Sequence, residues 1–265
     1  MRAGPVSLLF PPKCASCGVL LRFEGFGHTE LPALCPKCRK LWDSEKLTTC
    51  GECGEPVSLC GCMTEELQKA HCKGFYKLVY YLHGKSTAVQ NRMLFRIKNS
   101  PARRCTDFLA QELAERLKSL TADGVILPER TVIVYIPRGH SAALQTGTDQ
   151  AKRLASAFSE LTGIPVSHAV ARRWGKKKPQ KKLDRNERRR NAKNSYRLRK
   201  NISLNGKDVI LIDDIVTTGS SMAATAKLLR GAGAENIYCF AVASDDCNQN
   251  IRTRQPTFKI DRSVR

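Results

Sequence analysis

Residues Val209–Ala223 read VILIDDIVTTGSSMA, and the fold follows from this stretch. Val209–Ile212 is a continuous apolar run, β-branched apart from Leu211, with the composition of a strand buried in a parallel sheet. It runs into Asp213 and Asp214, then into Thr217, Thr218, Gly219, Ser220 and Ser221. A helical pattern follows from Met222 to Leu229, with Gly231 and Gly233 as stop signals. In open α/β sheets ligands sit beyond the carboxyl ends of the strands, where these two acids emerge. Adjacent carboxylates can accept hydrogen bonds from a diol or orient a hydrated Mg²⁺. The Thr-Thr-Gly-Ser-Ser loop supplies hydroxyls and backbone N–H groups, and Gly219 lets the backbone approach a ligand closely. With the positive end of the following helix, the loop makes an anion site of phosphate size. A buried strand with solvated acids and an ordinary N-cap at Thr217 or Ser220 would account for a lone Thr-Gly-Ser. It accounts poorly for two acids, a threonine pair and a glycine in order after an apolar strand.

Further strands and helices flank this unit. Thr131–Ile136 is a second buried strand, ending at Pro137-Arg138-Gly139-His140, where Arg138 can meet a second anion and His140 is a weaker candidate. Gly74–Leu82 alternates and is aromatic, as a strand does. Thr87–Ile97 and Arg103–Leu120 carry apolar residues at helical spacing, the latter with Leu109, Leu113 and Leu117 on one face. Thr148–Leu161 is a helix stopped by Gly163, Pro165–Val170 a short strand, and Ile237–Ala243 a closing buried strand. The alternation predicts an α/β fold, a parallel sheet flanked by helices.

At 265 residues the chain can bury a full α/β core and carry a smaller module as well. Hydrophobic content of 42% and charged content of 26% describe a soluble globular protein. No apolar run approaches the ~20 residues of a membrane span. Val6–Phe10 is too short for a signal peptide, so the expected location is cytoplasmic. The formal net charge is +21, and residues 171–200 hold fifteen Lys or Arg against two acids. Such a field favours anionic partners. Two uses compete for this basic segment. As a lid it would bring cations to a departing anion. As a groove it would track single-stranded nucleic acid, with Trp174 and Tyr196 for stacking.

Nine of the twelve cysteines precede residue 73. Cys14-Ala-Ser-Cys17, Cys35-Pro-Lys-Cys38 and Cys50-Gly-Glu-Cys53 are knuckles that can each grip one side of a tetrahedral Zn²⁺. Gly18 and Gly54 stand where such knuckles turn tightly. Disulfides suit an exported chain, and nothing here directs export. The first site is expected at Cys14, Cys17, Cys35 and Cys38. The second takes Cys50, Cys53 and two of Cys60, Cys62 and Cys72, most simply Cys60 and Cys62, with His71 as another candidate. His28 reads as a surface residue. Four thiolates leave no open position for substrate, so both zinc sites are structural.

IDDIVTTGSS resembles the phosphoribosyl-pyrophosphate (PRPP) signature of type I phosphoribosyltransferases. The resemblance implies Asp213 and Asp214 for the ribose and Mg²⁺-linked catalysis, and Thr217, Thr218, Gly219, Ser220 and Ser221 for the 5′-phosphate. The order of a double zinc ribbon, a basic PQKKLDRNERRRN segment and IDDIVTTGSS further resembles the ComF family of competence proteins. Gln180, Leu183, Arg185, Glu187, Arg188 and Asn191 carry that likeness. Gly147-Thr148-Asp149-Gln150 departs from it by lacking an aromatic residue. Membership implies residues 1–72 as the ribbon, 73–244 as the transferase-like domain with 171–200 as its basic loop, and 245–265 as a polar tail. It also implies pyrophosphate contacts from Arg138, Lys181, Arg185 and Arg188. The expected activity is phosphoribosyl transfer with Mg²⁺-assisted loss of pyrophosphate, associated with DNA uptake, single-stranded DNA and a competence helicase. The alternative is a non-catalytic nucleotide or single-stranded DNA binder on the same fold.

Overall fold

The computed structural model describes residues 12–21, 32–99, 103–138, 149–173 and 195–245. Its centre is a four-stranded, all-parallel sheet in the order β1 (Gly74–Tyr81), β6 (Ile237–Asp245), β5 (Asp208–Val216), β2 (Thr131–Tyr135). A single parallel bridge, Ile133 to Val166, extends the β2 side. The order places β5 inside the sheet, which is why Val209–Ile212 tolerates no polar residue: all four are fully buried.

Side chains of β5 alternate between two cores, as the strand period requires. Ile210 and Ile212 join one core with Tyr76, Leu78, Phe240 and Val242. It is covered by α3 (Val89–Asn99), α4 (Arg103–Ala122) and α5 (Gln150–Thr162). Val209 and Leu211 join the other with Phe75, Cys239 and Ala241, covered by α6 (Ser220–Gly231) and by Leu67 of the short α2 (Glu65–Lys69). Burying side chains such as these stabilises by about 1.5–3 kcal/mol each.

The first core also takes in Cys14, Ala15, Leu21, Leu34, Cys38 and Trp42, the last on α1 (Pro36–Lys46). Trp42 is fully buried, edge-on to Phe108 of α4 at 5.6 Å, and donates its Nε1 hydrogen to Glu112 at 3.2 Å. Apolar packing thus runs unbroken across residue 72.

Three elements differ from the sequence expectations. Strand β5 continues through both acids to Val216, so Asp213 and Asp214 lie in its last residues rather than after its end. Pro165–Val170 makes only the Val166 bridge, and a new strand β3 (Val170–Arg172) begins at its end. β3 pairs antiparallel with β4 (Tyr196–Leu198), so the two ends of the basic segment form a two-stranded ribbon. Both strands are three residues long, too short for a period to show. β1 alternates in sequence yet is buried from Gly74 to Tyr80, because helices cover one face and the cysteine-rich segment the other.

Candidate functional site

The acids and the loop are brought together at the carboxyl end of β5. Asp213 accepts from the Asp214 backbone N–H at 2.8 Å, and Asp214 accepts from that of Ile215 at 2.8 Å. The two carboxyl groups are close enough to interact electrostatically. Burial pushes Asp213 well above its usual value of 3.8, and the charge of Asp214 beside it adds to the shift. Two contiguous carboxyls that resist joint ionisation await a cation or hydroxyl donors, and oxygen ligands of this kind suit Mg²⁺.

The loop from Thr217 to Ser221 turns at Gly219, whose φ of 78° lies in the left-handed region that glycine adopts without strain. Gly219 is the N-cap of α6, and it has no side chain to close the helix end. Thr218 Oγ1 accepts from the Ser220 backbone N–H at 3.3 Å and shares a hydrogen bond with Ser220 Oγ at 2.8 Å. Burial pushes the Tyr196 phenol up from its usual value of 10.0, and Ser221 beside it offsets part of that rise. The start of α6 thus presents backbone donors and hydroxyls with the positive end of a 12-residue helix behind them.

Arg138 follows β2, the neighbour of β5. Ile136 donates its backbone N–H to Ile212 at 3.0 Å, which sets Pro137 and Arg138 next to the acid pair. The Arg138 backbone N–H is held by Asp149, the N-cap of α5, at 3.1 Å. Sequence reasoning missed Lys98, which reaches the site from the last turn of α3, its Nζ 3.5 Å from Asp214 Oδ2. Its one sequence signal was a basic residue closing an amphipathic helix, which is commonplace. Tyr196 is corrected: its ring is 3% exposed and cannot stack on a base. His28, His140, Thr148, Trp174, Lys181, Arg185 and Arg188 lie outside the described residues.

The eight expected cysteines form two tetrads, Cys14, Cys17, Cys35, Cys38 and Cys50, Cys53, Cys60, Cys62, each with its sulfurs within 4.8 Å of one another. Gly18 and Gly54 have φ of 80° and 77°, and donate their N–H to Cys14 O at 3.0 Å and Cys50 O at 2.9 Å, closing the knuckles. In each tetrad one thiol ionises first. Burial opposes ionisation of Cys14 and Cys50, but backbone N–H groups, of Cys35 and Cys53 foremost, bring both down to about 6. Cys38, by contrast, is pushed up to about 12 by burial and by its thiol neighbours. Such a donor set fits a tetrahedral zinc, which would take the remaining protons off. Cys72 is not part of the second tetrad; its thiol, lowered chiefly by Cys239 of β6, is buried elsewhere. His71, in a left-handed turn at φ 55°, also stays outside it.

With this geometry in place, comparison with known proteins is informative. Residues 140–263 match the model of the phosphoribosyl transferase domain family. Competence protein F of Haemophilus influenzae is 29% identical over 245 residues, 87% of this chain and 96% of that protein. Over most of its length the chain is therefore similar to the ComF family of competence proteins. DNA utilization protein YhgH of Escherichia coli is 31% identical over 129 residues, 48% of this chain and 55% of its own. The adenine phosphoribosyltransferase of Leishmania tarentolae superposes with a TM-score of 0.34 at 14% identity, covering 61% of this chain and 89% of that one. The chain thus combines a parallel α/β sheet, similar over residues 140–263 to the phosphoribosyl transferase domain family, with two cysteine tetrads near its N-terminal end. Among the described residues no helix is long and apolar enough to cross a membrane.

Proposed function

We propose that the carboxyl end of β5 binds PRPP with Mg²⁺ and transfers its phosphoribosyl group to an acceptor with loss of pyrophosphate. One observation carries this reading. The N-cap of α6, Gly219, which has no side chain to cap the helix, is separated by only four residues, Ile215–Thr218, from a pair of adjacent carboxyls. In this proposal Thr217, Thr218, Gly219, Ser220 and Ser221 hold the 5′-phosphate by backbone and hydroxyl donors. Asp213 and Asp214 take the ribose diol. Arg138 faces the pyrophosphate, with Lys181, Arg185 and Arg188 of the basic loop. Bound Mg²⁺ supplies neutralising charge on the pyrophosphate oxygens. The residues themselves contribute positioning and fixed electrostatics for an oxocarbenium-like transition state. The two tetrads are structural zinc sites. Residues 1–72 and 73–244 act as a ribbon and a transferase-like unit, 245–265 as a tail, and the protein works in the cytoplasm. The names of its relatives, competence protein F and DNA utilization protein, support a role in DNA uptake; single-stranded DNA and a competence helicase are the proposed partners.

Calorimetric titration with PRPP and Mg²⁺ tests the site. Binding by the wild type, lost in the Asp213→Asn, Asp214→Asn double variant, supports it; no binding by the wild type removes it. A second reading has its own support. Fifteen basic residues in 171–200 exceed what one pyrophosphate needs, and they follow directly from the β3–β4 ribbon. In that reading the fold is a non-catalytic binder of nucleotide or single-stranded DNA. Salt-dependent DNA binding without any PRPP-dependent turnover would favour it.

A further inference from the structure

The second tetrad and the anion loop are physically continuous. Two residues after Cys62 stands Thr64, and its Oγ1 is buried with no hydrogen-bond partner. That atom lies against Gly219. A Cβ built on Gly219 would collide with Thr64 Oγ1 and come within 3.3 Å of Leu67 Cγ. Gly219 therefore answers two demands at once: a left-handed φ, and room for a side chain from another part of the chain. Thr64 is the N-cap of α2, and Leu67 of α2 is packed into the same core as Met222, Ala223 and Ala226 of α6.

The tetrad in turn is fastened to the sheet. Lys77 of β1 is only 4% exposed, yet its ammonium lies 3.3 Å from Cys60 Sγ and 3.5 Å from Cys62 O, over the Phe75 ring. A buried ammonium requires a compensating negative charge, which a metal thiolate supplies. Gly61, between the two cysteines, accepts the Phe75 N–H at 3.4 Å and so caps the outer edge of β1. Among the described residues the first tetrad makes no comparable approach to the loop. Arg92 and Arg96 hold it from α3: Arg96 Nε donates to Ser16 O at 3.1 Å, and Arg92 to Ser16 Oγ at 3.0 Å and Cys38 Sγ at 3.8 Å.

We infer that Thr64 is a positioning residue of the anion loop, and that metal held by Cys50, Cys53, Cys60 and Cys62 fixes where Thr64 stands, so that this tetrad, and not the first, sets the conformation of Thr217–Ser221. The inference rests on the reading of that loop as the phosphate site, but the structural coupling can be measured with no phosphate ligand present. Hydrogen exchange of the full-length zinc-loaded protein, read by mass spectrometry, reports on the loop amides directly. Cys62→Ser and Thr64→Gly are each expected to speed exchange of a peptide covering 217–221 by about ten-fold, in the range of ordinary coupling energies. Cys17→Ser is expected to leave that peptide unchanged while releasing one zinc. Thr64→Gly keeps all eight cysteines, so it decides the matter even where Cys62→Ser fails to fold. The inference is overturned if Thr64→Gly leaves the loop unchanged, if Cys17→Ser speeds it equally, or if a peptide from Val209–Ile212 moves in step, which would mark general destabilisation. Titrating the same variants with PRPP and Mg²⁺ separates the two ideas. A wild type that binds no PRPP but shows the predicted exchange pattern overturns the function and keeps the coupling.

Discussion

The two cysteine tetrads and the carboxyl end of β5 are built on opposite terms. At the tetrads each unusual feature is compensated nearby: backbone N–H groups meet the thiols, Arg92 and Arg96 close on Ser16, and Lys77 lies against Cys60. At the end of β5 unfavourable features accumulate. Two acids stand side by side with Asp213 buried, only partly offset by Lys98 at 3.5 Å from Asp214, and Thr64 Oγ1 is buried without a partner. A region whose groups satisfy one another stabilises the fold. One that stores conflict does so for a ligand, since evolution retains such strain where binding repays it.

The largest expected effect falls on the tetrads. Cys14→Ser or Cys50→Ser should each lower bound zinc from two atoms to one and cost at least about 3 kcal/mol of stability. Metal analysis and thermal melting check this; a melting point unmoved by either change would break the contrast. Gly219→Ala comes next. A Cβ at positive φ, pressed on Thr64 Oγ1, should cost about 2–4 kcal/mol and abolish PRPP binding while both zincs stay.

Asp213→Asn should move stability the other way. Its folded-state pKa is raised, so the folded protein binds more protons than the unfolded chain above 3.8, and stability falls as pH rises through that window. The buried pair is therefore a burden above that window. The variant should melt higher there and lose PRPP binding, with the gain fading as pH is lowered towards 3.8. A lower melting point at neutral pH would show the acids to be structural. The smallest effect belongs to Lys98→Met. Its ion pair with Asp214 is one-third exposed on the lysine side, worth at most about 1 kcal/mol, so melting should barely shift.

The sequence made some of this legible and concealed the rest for identifiable reasons. The Val209–Ile212 run, the acid pair and the glycine loop are local in the chain, and apolar content with turn chemistry reports them directly. The CxxC spacing did the same for three knuckles. The partners of the third knuckle were expected most simply at Cys60 and Cys62, and the structure brings those two together with Lys77 of β1 against Cys60, leaving Cys72 outside; sequence spacing alone left that choice open. The β3–β4 ribbon was hidden because three-residue strands have no readable period.

What the chain determined by itself is everything whose cause lies within a few residues: strand and helix periods, knuckle spacing, and a turn that needs glycine. What only the tertiary structure decided is which distant residues meet. Lys98 reaches Asp214, Thr64 presses on Gly219, and Lys77 faces Cys60. Each of these contacts joins segments far apart in the chain. Their proximity follows from a shared core and a strand order that places β5 at the centre, and no local propensity encodes that order.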